Sequence, residues 1–180
     1  TSNSSYLGLT DADFSQDPNR RYGLSSPDQM DNTHSGVSLT HQFEWSDNVS
    51  STTTLYRNDF KRNWYKLSGG GNIIDAANTG DANAQGILDG TVDTSGLNYK
   101  NNAREYVSQG VQTNFDVTIG NHEFDFGARA HEDEMDRFQP VDVYDQVNGS
   151  LVFQNSVAPT GSNNRFETGE ALSFWALDKW

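Results

Sequence analysis

Apolar and polar residues alternate along several stretches of the chain, and the longest alternation runs from Thr52 to Leu67, TTTLYRNDFKRNWYKL. At a period of two, Thr52, Thr54, Tyr56, Asn58, Phe60, Arg62 and Trp64 share one face, and Thr53, Leu55, Arg57, Asp59, Lys61, Asn63 and Tyr65 share the other. This predicts a strand of about sixteen residues, roughly 50 Å long at about 3.3 Å per residue. Its aromatic face is expected to point outward, with Arg57, Asp59 and Lys61 inward. From Gly36 to Trp45 the residues Val37, Leu39, His41, Phe43 and Trp45 oppose Ser38, Thr40, Gln42 and Glu44, a strand with one wet face. The polar turn Ser46 to Ser50 joins the two as a hairpin.

A second hairpin follows the same logic. Val107, Gln109, Val111, Thr113, Phe115 and Val117 alternate with polar residues from Tyr106 to Thr118. After a short turn around Gly120 and Asn121, Phe124, Phe126, Ala128 and Ala130 share one side of a strand over Glu123 to Phe138. Three stretches lack that rhythm and are expected to be long loops: Asp11 to His34, Gly69 to Asn102, and Gln139 to about Gly169. The third contains Val143 to Phe153, predicted as a small hairpin around Asn148-Gly149. Ser5 to Thr10 is expected to end one strand and Ala171 to Trp180 to start another, the latter with apolar residues on both parities.

Connections therefore run long, short, long, short, long. In an up-and-down sheet successive connections lie at opposite ends, so the long ones share an end. Outer-membrane barrels combine short periplasmic turns with long extracellular loops, and each hairpin strand has an apolar parity of about the length a tilted spanning strand needs. The predicted fold class is all-β, an antiparallel up-and-down transmembrane β-barrel segment of roughly five or six strands. Unpaired backbone groups are too costly in hydrocarbon for an open sheet, so the remaining strands of the barrel must come from elsewhere in a longer protein.

Composition narrows the function. With 12 basic and 25 acidic residues the formal net charge is −13, which excludes nucleic-acid binding through phosphate neutralisation. The chain has no cysteine, so disulfides and thiolate chemistry are excluded. No run of eighteen apolar residues exists, which removes a transmembrane helix and leaves transmembrane strands untouched. The opening TSNSSYLGLT carries no signal-peptide pattern and reads as the middle of a strand.

Several segments, in order, resemble one family: YLGLTDADF (Tyr6 to Phe14), PNRRY (Pro18 to Tyr22), DQMDN (Asp28 to Asn32), Thr52 to Leu67, REYVSQGVQT (Arg104 to Thr113) and HEDEMDRFQ (His131 to Gln139). Together they resemble the barrel of TonB-dependent outer-membrane receptors, in the ferric-citrate and siderophore receptor branch. The resemblance implies a barrel of about 22 strands around a plug domain, location in a bacterial outer membrane, and uptake of a ferric siderophore or ferric citrate driven by the TonB complex. The ferric chelate would be cargo rather than a bound cofactor. It further implies that residues 1–180 are a middle part of the barrel, with the plug and the barrel ends absent. The competing expectation is a secreted β-sandwich that binds or cleaves glycans.

Candidate chemistry is sparse. His131 to Asp136, HEDEMD, packs carboxylates beside an imidazole, but alternate residues on a strand diverge, so no metal site is assigned. DADFSQD (Asp11 to Asp17) mimics the start of a calcium loop but has Gln16 and Tyr22 where Gly and Glu are required. His34, His41, His122 and His131 show no ligand spacing, and without a nucleophile elbow no catalytic residue or enzyme activity is assigned. Trp45, Tyr56, Phe60, Trp64 and Tyr106 are expected in aromatic girdles at the membrane surfaces. Asn3, Asn48 and Asn148 begin Asn-x-Ser sequons, chance occurrences in a bacterial protein. The basic residues are few, so Arg20, Arg21, Arg57, Arg104, Arg137 and Arg165 are the candidates for binding an anionic chelate through charge-assisted hydrogen bonds.

Overall fold

The computed structural model describes residues 1–2 and 5–180, so the Asn3 sequon lies outside the described residues. Strands account for 63% of the chain and helices for 16%, and the sheet is mostly antiparallel and open, which places the protein in the all-β class. The long strands are β1 (Gln29–Ser46), β2 (Val49–Ser68), β3 (Thr94–Ile119), β4 (His122–Phe138) and β7 (Asn164–Lys179), and they lie side by side in the order β1-β2-β3-β4-β7. A hairpin of β5 (Val141–Val147) and β6 (Ser150–Val157) branches from this path, β5 pairing with β3. The helices are α1 (Asp11–Gln16), α2 (Gly70–Asn78) and α3 (Ala82–Asp89).

The chain forms two compact units. The first comprises Thr1–Asn32, Arg62–Arg104 and Arg137–Arg165; the second comprises Thr33–Lys61, Glu105–Asp136 and Phe166–Trp180. All three helices and the β5–β6 hairpin belong to the first unit, while both tight turns between long strands belong to the second. Turn chemistry is local. Gly120 takes φ 63°, as the first central residue of a type II′ hairpin does, and Asn148 and Gly149 take φ 48° and 73°, the type I′ signature that the Asn-Gly pair predicts.

The second unit is bare sheet with two unlike faces. Ring and hydroxyl contacts fix the faces: Thr53 meets Thr113, Phe115 stacks on Phe126 and Trp45 donates to Ser51, so the odd residues of β1, β2 and β3 share a face with the even residues of β4. That face carries Val37, Leu39, Phe43, Trp45, Leu55, Val111, Phe126, Leu172 and Phe174, all substantially exposed. The other face is polar. Thr40 hydrogen-bonds Thr54, Tyr56 hydrogen-bonds His131, and Trp175 donates to Asp125.

The β2 facing therefore corrects the expectation. Tyr56 and Phe60 lie on the polar side, against His131 and against His34 and Tyr106 respectively, and Arg57 lies on the side of Leu55. The aromatic residues of β2 outweighed its single leucine in the sequence pattern. Register with the neighbouring strands decides instead, because a one-residue slip would put every side chain of the strand on the wrong face.

The first unit has a true core. Tyr22, Leu24, Leu67, Ile74, Leu88, Leu97 and Tyr99 are buried, with Leu7, Leu9, Tyr65, Ile73, Ala77, Ile87, Tyr144 and Leu151 packed around them. Three expected features change here. Ser5 to Thr10 joins no strand, because its amides bond side chains instead: Tyr6 N–H donates to Asp28 and Thr10 N–H to the Tyr22 hydroxyl. Asp11 to His34 holds helix α1, capped by Thr10, and the start of β1. Gly69 to Asn102 holds α2 and α3 before β3 begins at Thr94. In these short helices Ile73, Ile74 and Ala77, then Ala84, Ile87 and Leu88, recur at helical spacing and fill the core side. Asp81 caps α3 by accepting from Asn83 and Ala84 N–H, and Gly90 closes it at φ 76°.

Candidate functional site

Two surfaces are the candidates for function. The first is the apolar face of the second unit. Residues 37–45, 111–119 and 122–130 are its stretches on β1, β3 and β4, nine positions each and apolar on this face but for His41, Thr113 and His122, close to the roughly 9–11 residues of a tilted membrane-spanning strand. A polar row ends it. Arg57 donates to Gln109 at 2.9 Å and Gln109 donates to Glu132 at 2.9 Å, linking β2, β3 and β4, while Glu170 of β7 lines the same groove. Arg57 also forks onto Asp59, with Nε and Nη2 at 3.0 and 2.9 Å from the two carboxylate oxygens. Between this row and the next one, Leu39, Leu55, Val111, Ala130 and Leu172, runs a groove of about 890 Å³.

The polar face opposite is built around small residues that admit large neighbours. A Cβ on Gly110 would lie 2.6 Å from both the Ala130 carbonyl and the Tyr56 hydroxyl, and one on Gly127 would clash with the Trp175 ring. Each glycine is thus covered by an aromatic ring from the adjacent strand, a cross-strand pairing that stiffens the sheet where glycine would weaken it. Tyr56 belongs to a longer chain of bonds. Arg129 donates Nε–H to its hydroxyl at 2.9 Å and Nη2–H to His131 Nδ1 at 2.9 Å, and His131 Nε2 faces Asp133 at 2.8 Å. Within HEDEMD, His131 and Asp133 thus meet on one face while Glu132 joins Gln109 on the other.

The second surface lies in the first unit and is cationic. Lys66 and Lys100 both have their ammonium pKa lowered, first by burial and then by neighbouring arginines, Arg62 for Lys66 and Arg137 and Arg104 for Lys100. The Lys66 ammonium sits 3.2 Å from the Tyr6 ring centroid and 4.1 Å from that of Trp64. Lys100 donates to the Asn163 side-chain oxygen at 2.7 Å. The buried Nε of Arg62 has no hydrogen-bond partner among the described residues.

The six arginines selected from the sequence separate on this map. Arg104 and Arg137 belong to the cationic surface, and Arg137 also donates to the Ser162 carbonyl at 3.1 Å. Arg20 is structural: it bridges Asp13 at 2.5 Å and Asp89, tying α1 to α3. Arg21 holds the Ser25 and Asp28 carbonyls. Arg57 closes the apolar face, and Arg165 is an exposed residue at the start of β7. Arg62, Lys66 and Lys100 were not selected. The available signal was spacing, since Arg62 and Lys66 on β2, and Lys100 and Arg104 on β3, recur four apart and so share a face. Comparison with known protein families, curated proteins and solved structures finds no match to the chain.

Proposed function

We propose that this chain is part of the wall of an outer-membrane β-barrel receptor that takes up a ferric chelate with energy from the TonB complex. The observation that carries the reading is the apolar face of the second unit. It crosses five strands, and Leu39 and Phe174, on two different strands, are 64% and 74% exposed. An exposed, largely apolar surface of that extent, interrupted on β2 by Ser51 and Thr53, needs a partner, and lipid is the partner that fits its height and its charged border. A secreted β-sandwich would cover such a face with a second sheet, whereas the strands here belong to one sheet.

The cargo and the energy source rest on the resemblance of the Tyr6 to Phe14, Thr52 to Leu67 and His131 to Gln139 segments to TonB-dependent receptors. The polar face, with its Tyr56–Arg129–His131 chain, would then line the lumen. The intact protein is expected to fractionate with outer membranes and to migrate differently on gels when unheated. It is expected to rise in abundance under iron starvation and to bind a ferric siderophore or ferric citrate. Recovery in the soluble fraction without detergent, with no heat-dependent migration, would overturn the barrel. Binding of a vitamin or sugar in place of every ferric chelate would overturn the cargo alone.

A further inference from the structure

We infer that the groove on the apolar face of the second unit seats one lipid whose headgroup carries a primary ammonium, its chain on Leu39, Leu55, Val111 and Leu172 and its ammonium on Glu132 and Glu170. The groove holds about 890 Å³, within the roughly 300–1,000 Å³ of small-molecule sites. It lies wholly in the second unit, and residues of β1, β2, β3, β4 and β7 all line it. Its floor is apolar and one border is acidic.

Glu170 is the residue that hydrocarbon alone does not explain. It stands two positions from Leu172 on β7, hence on the same face, and it is exposed. Its carboxylate has no hydrogen-bonding or ionic partner among the described residues. Glu132, on the neighbouring strand β4, accepts from the neutral Gln109 amide and, among the described residues, from no cation. Arg57, the cation of this row, is forked onto Asp59 and so already balanced. Two carboxylates therefore border an apolar groove with no cation of the chain to offset them. A carboxylate facing hydrocarbon is costly until it is paired.

An ammonium with three N–H donors can bond both carboxylates, and the chain attached to it covers the apolar floor, so one amphiphile answers both features. Other occupants answer one feature only. A purely anionic headgroup is repelled by the two glutamates, and a quaternary ammonium has no N–H to donate. A second copy of this chain, at net charge −13, brings more negative charge to the same border. The inference rests on the lipid-facing reading of this face and adds the headgroup chemistry that the wall selects.

The test is native mass spectrometry of the intact protein, purified in detergent and exposed in turn to phosphatidylethanolamine, phosphatidylglycerol and phosphatidylcholine, beside the variant Glu132→Gln/Glu170→Gln. Phosphatidylethanolamine is expected to be held about tenfold more tightly than the other two and to lose that advantage in the variant. A second variant, Glu44→Gln/Glu123→Gln, removes two carboxylates of the opposite parity on β1 and β4 and is expected to behave as the parent does. Equal retention of the three lipids overturns the site, as does an unchanged preference in the first variant. Retention of phosphatidylglycerol alone, and only with calcium present, also overturns it, because the carboxylates would then hold a bridging cation. Unheated gel migration separates the two claims: a heat-modifiable protein without headgroup preference loses the site and keeps the wall, whereas one recovered without detergent and without heat-dependent migration loses the wall and the site with it.

Discussion

At the scale of single residues, the structure rests on a few buried polar contacts and a few glycines. Asp13 is buried beside Tyr22, whose hydroxyl donates to it at 2.5 Å; that bond, helped by Gln85, Thr10 and Arg20, holds its carboxyl below the usual carboxylate range. A lowered folded pKa contributes stability that is present above the unfolded value of 3.8 and lost as pH falls through the folded value. Tyr22→Phe is expected to cost about 1.5–3 kcal/mol at neutral pH and to flatten the acid limb of a melting-temperature profile. Asp28 has the opposite sign. Burial raises its pKa above 3.8 despite two amide donors, so its ionisation weakens the folded state as pH rises through that raised value. On the polar face, Gly110→Ala would force a Cβ to 2.6 Å from Ala130 O and Tyr56 Oη, and is expected to destabilise by about 1–3 kcal/mol in thermal melts, whereas Gly8→Ala meets open space and is expected to be silent. None of these contacts is legible in the sequence, because Asp13–Tyr22 and Gly110–Tyr56 depend on which side chains the fold brings together.

At the scale of elements, the strands were legible and the helices were not. Alternation from Gly36 to Trp45 and from Tyr106 to Thr118 placed β1 and β3, and Asn148-Gly149 placed the β5–β6 turn, because period and turn chemistry are local properties. Helices α2 and α3 are hidden by the glycines and asparagines around them, and each, at 9 and 8 residues, is too short to display more than about two and a half turns of helical period. Their stability comes from caps and from the shared core with Tyr22, Leu24, Leu67 and Tyr99 rather than from propensity. Asp81→Ala is therefore expected to cost about 1 kcal/mol and to speed proteolytic nicking between residues 79 and 92, followed by mass spectrometry. The facing of β2 is obscured for a related reason: Tyr56 and Phe60 are aromatic, but one meets His131 and Arg129 and the other His34 and Tyr106.

At the scale of the whole molecule, the open sheet leaves the largely apolar face of the second unit exposed. The long connections form packed structure rather than loops, so the candidate arginines divide: Arg20 and Arg21 hold that structure together, while Arg104 and Arg137 lie beside Lys100. If the apolar face meets lipid, Val111→Arg is expected to impair assembly into the membrane by about 2–4 kcal/mol, and Ser108→Arg, on the opposite parity of β3, is expected to be tolerated. Because the chain contains no cysteine, single cysteines placed one at a time from residue 105 to 117 can each carry a spin label. Collision with oxygen and with a water-soluble nickel chelate, measured on the intact protein in lipid bilayers, tests the central claim most directly. Oxygen accessibility is expected to peak at Val111, Thr113, Phe115 and Val117 and nickel accessibility at Gly110, Gln112, Asn114 and Asp116; no alternation, or nickel contact on both parities, would contradict a lipid-facing wall.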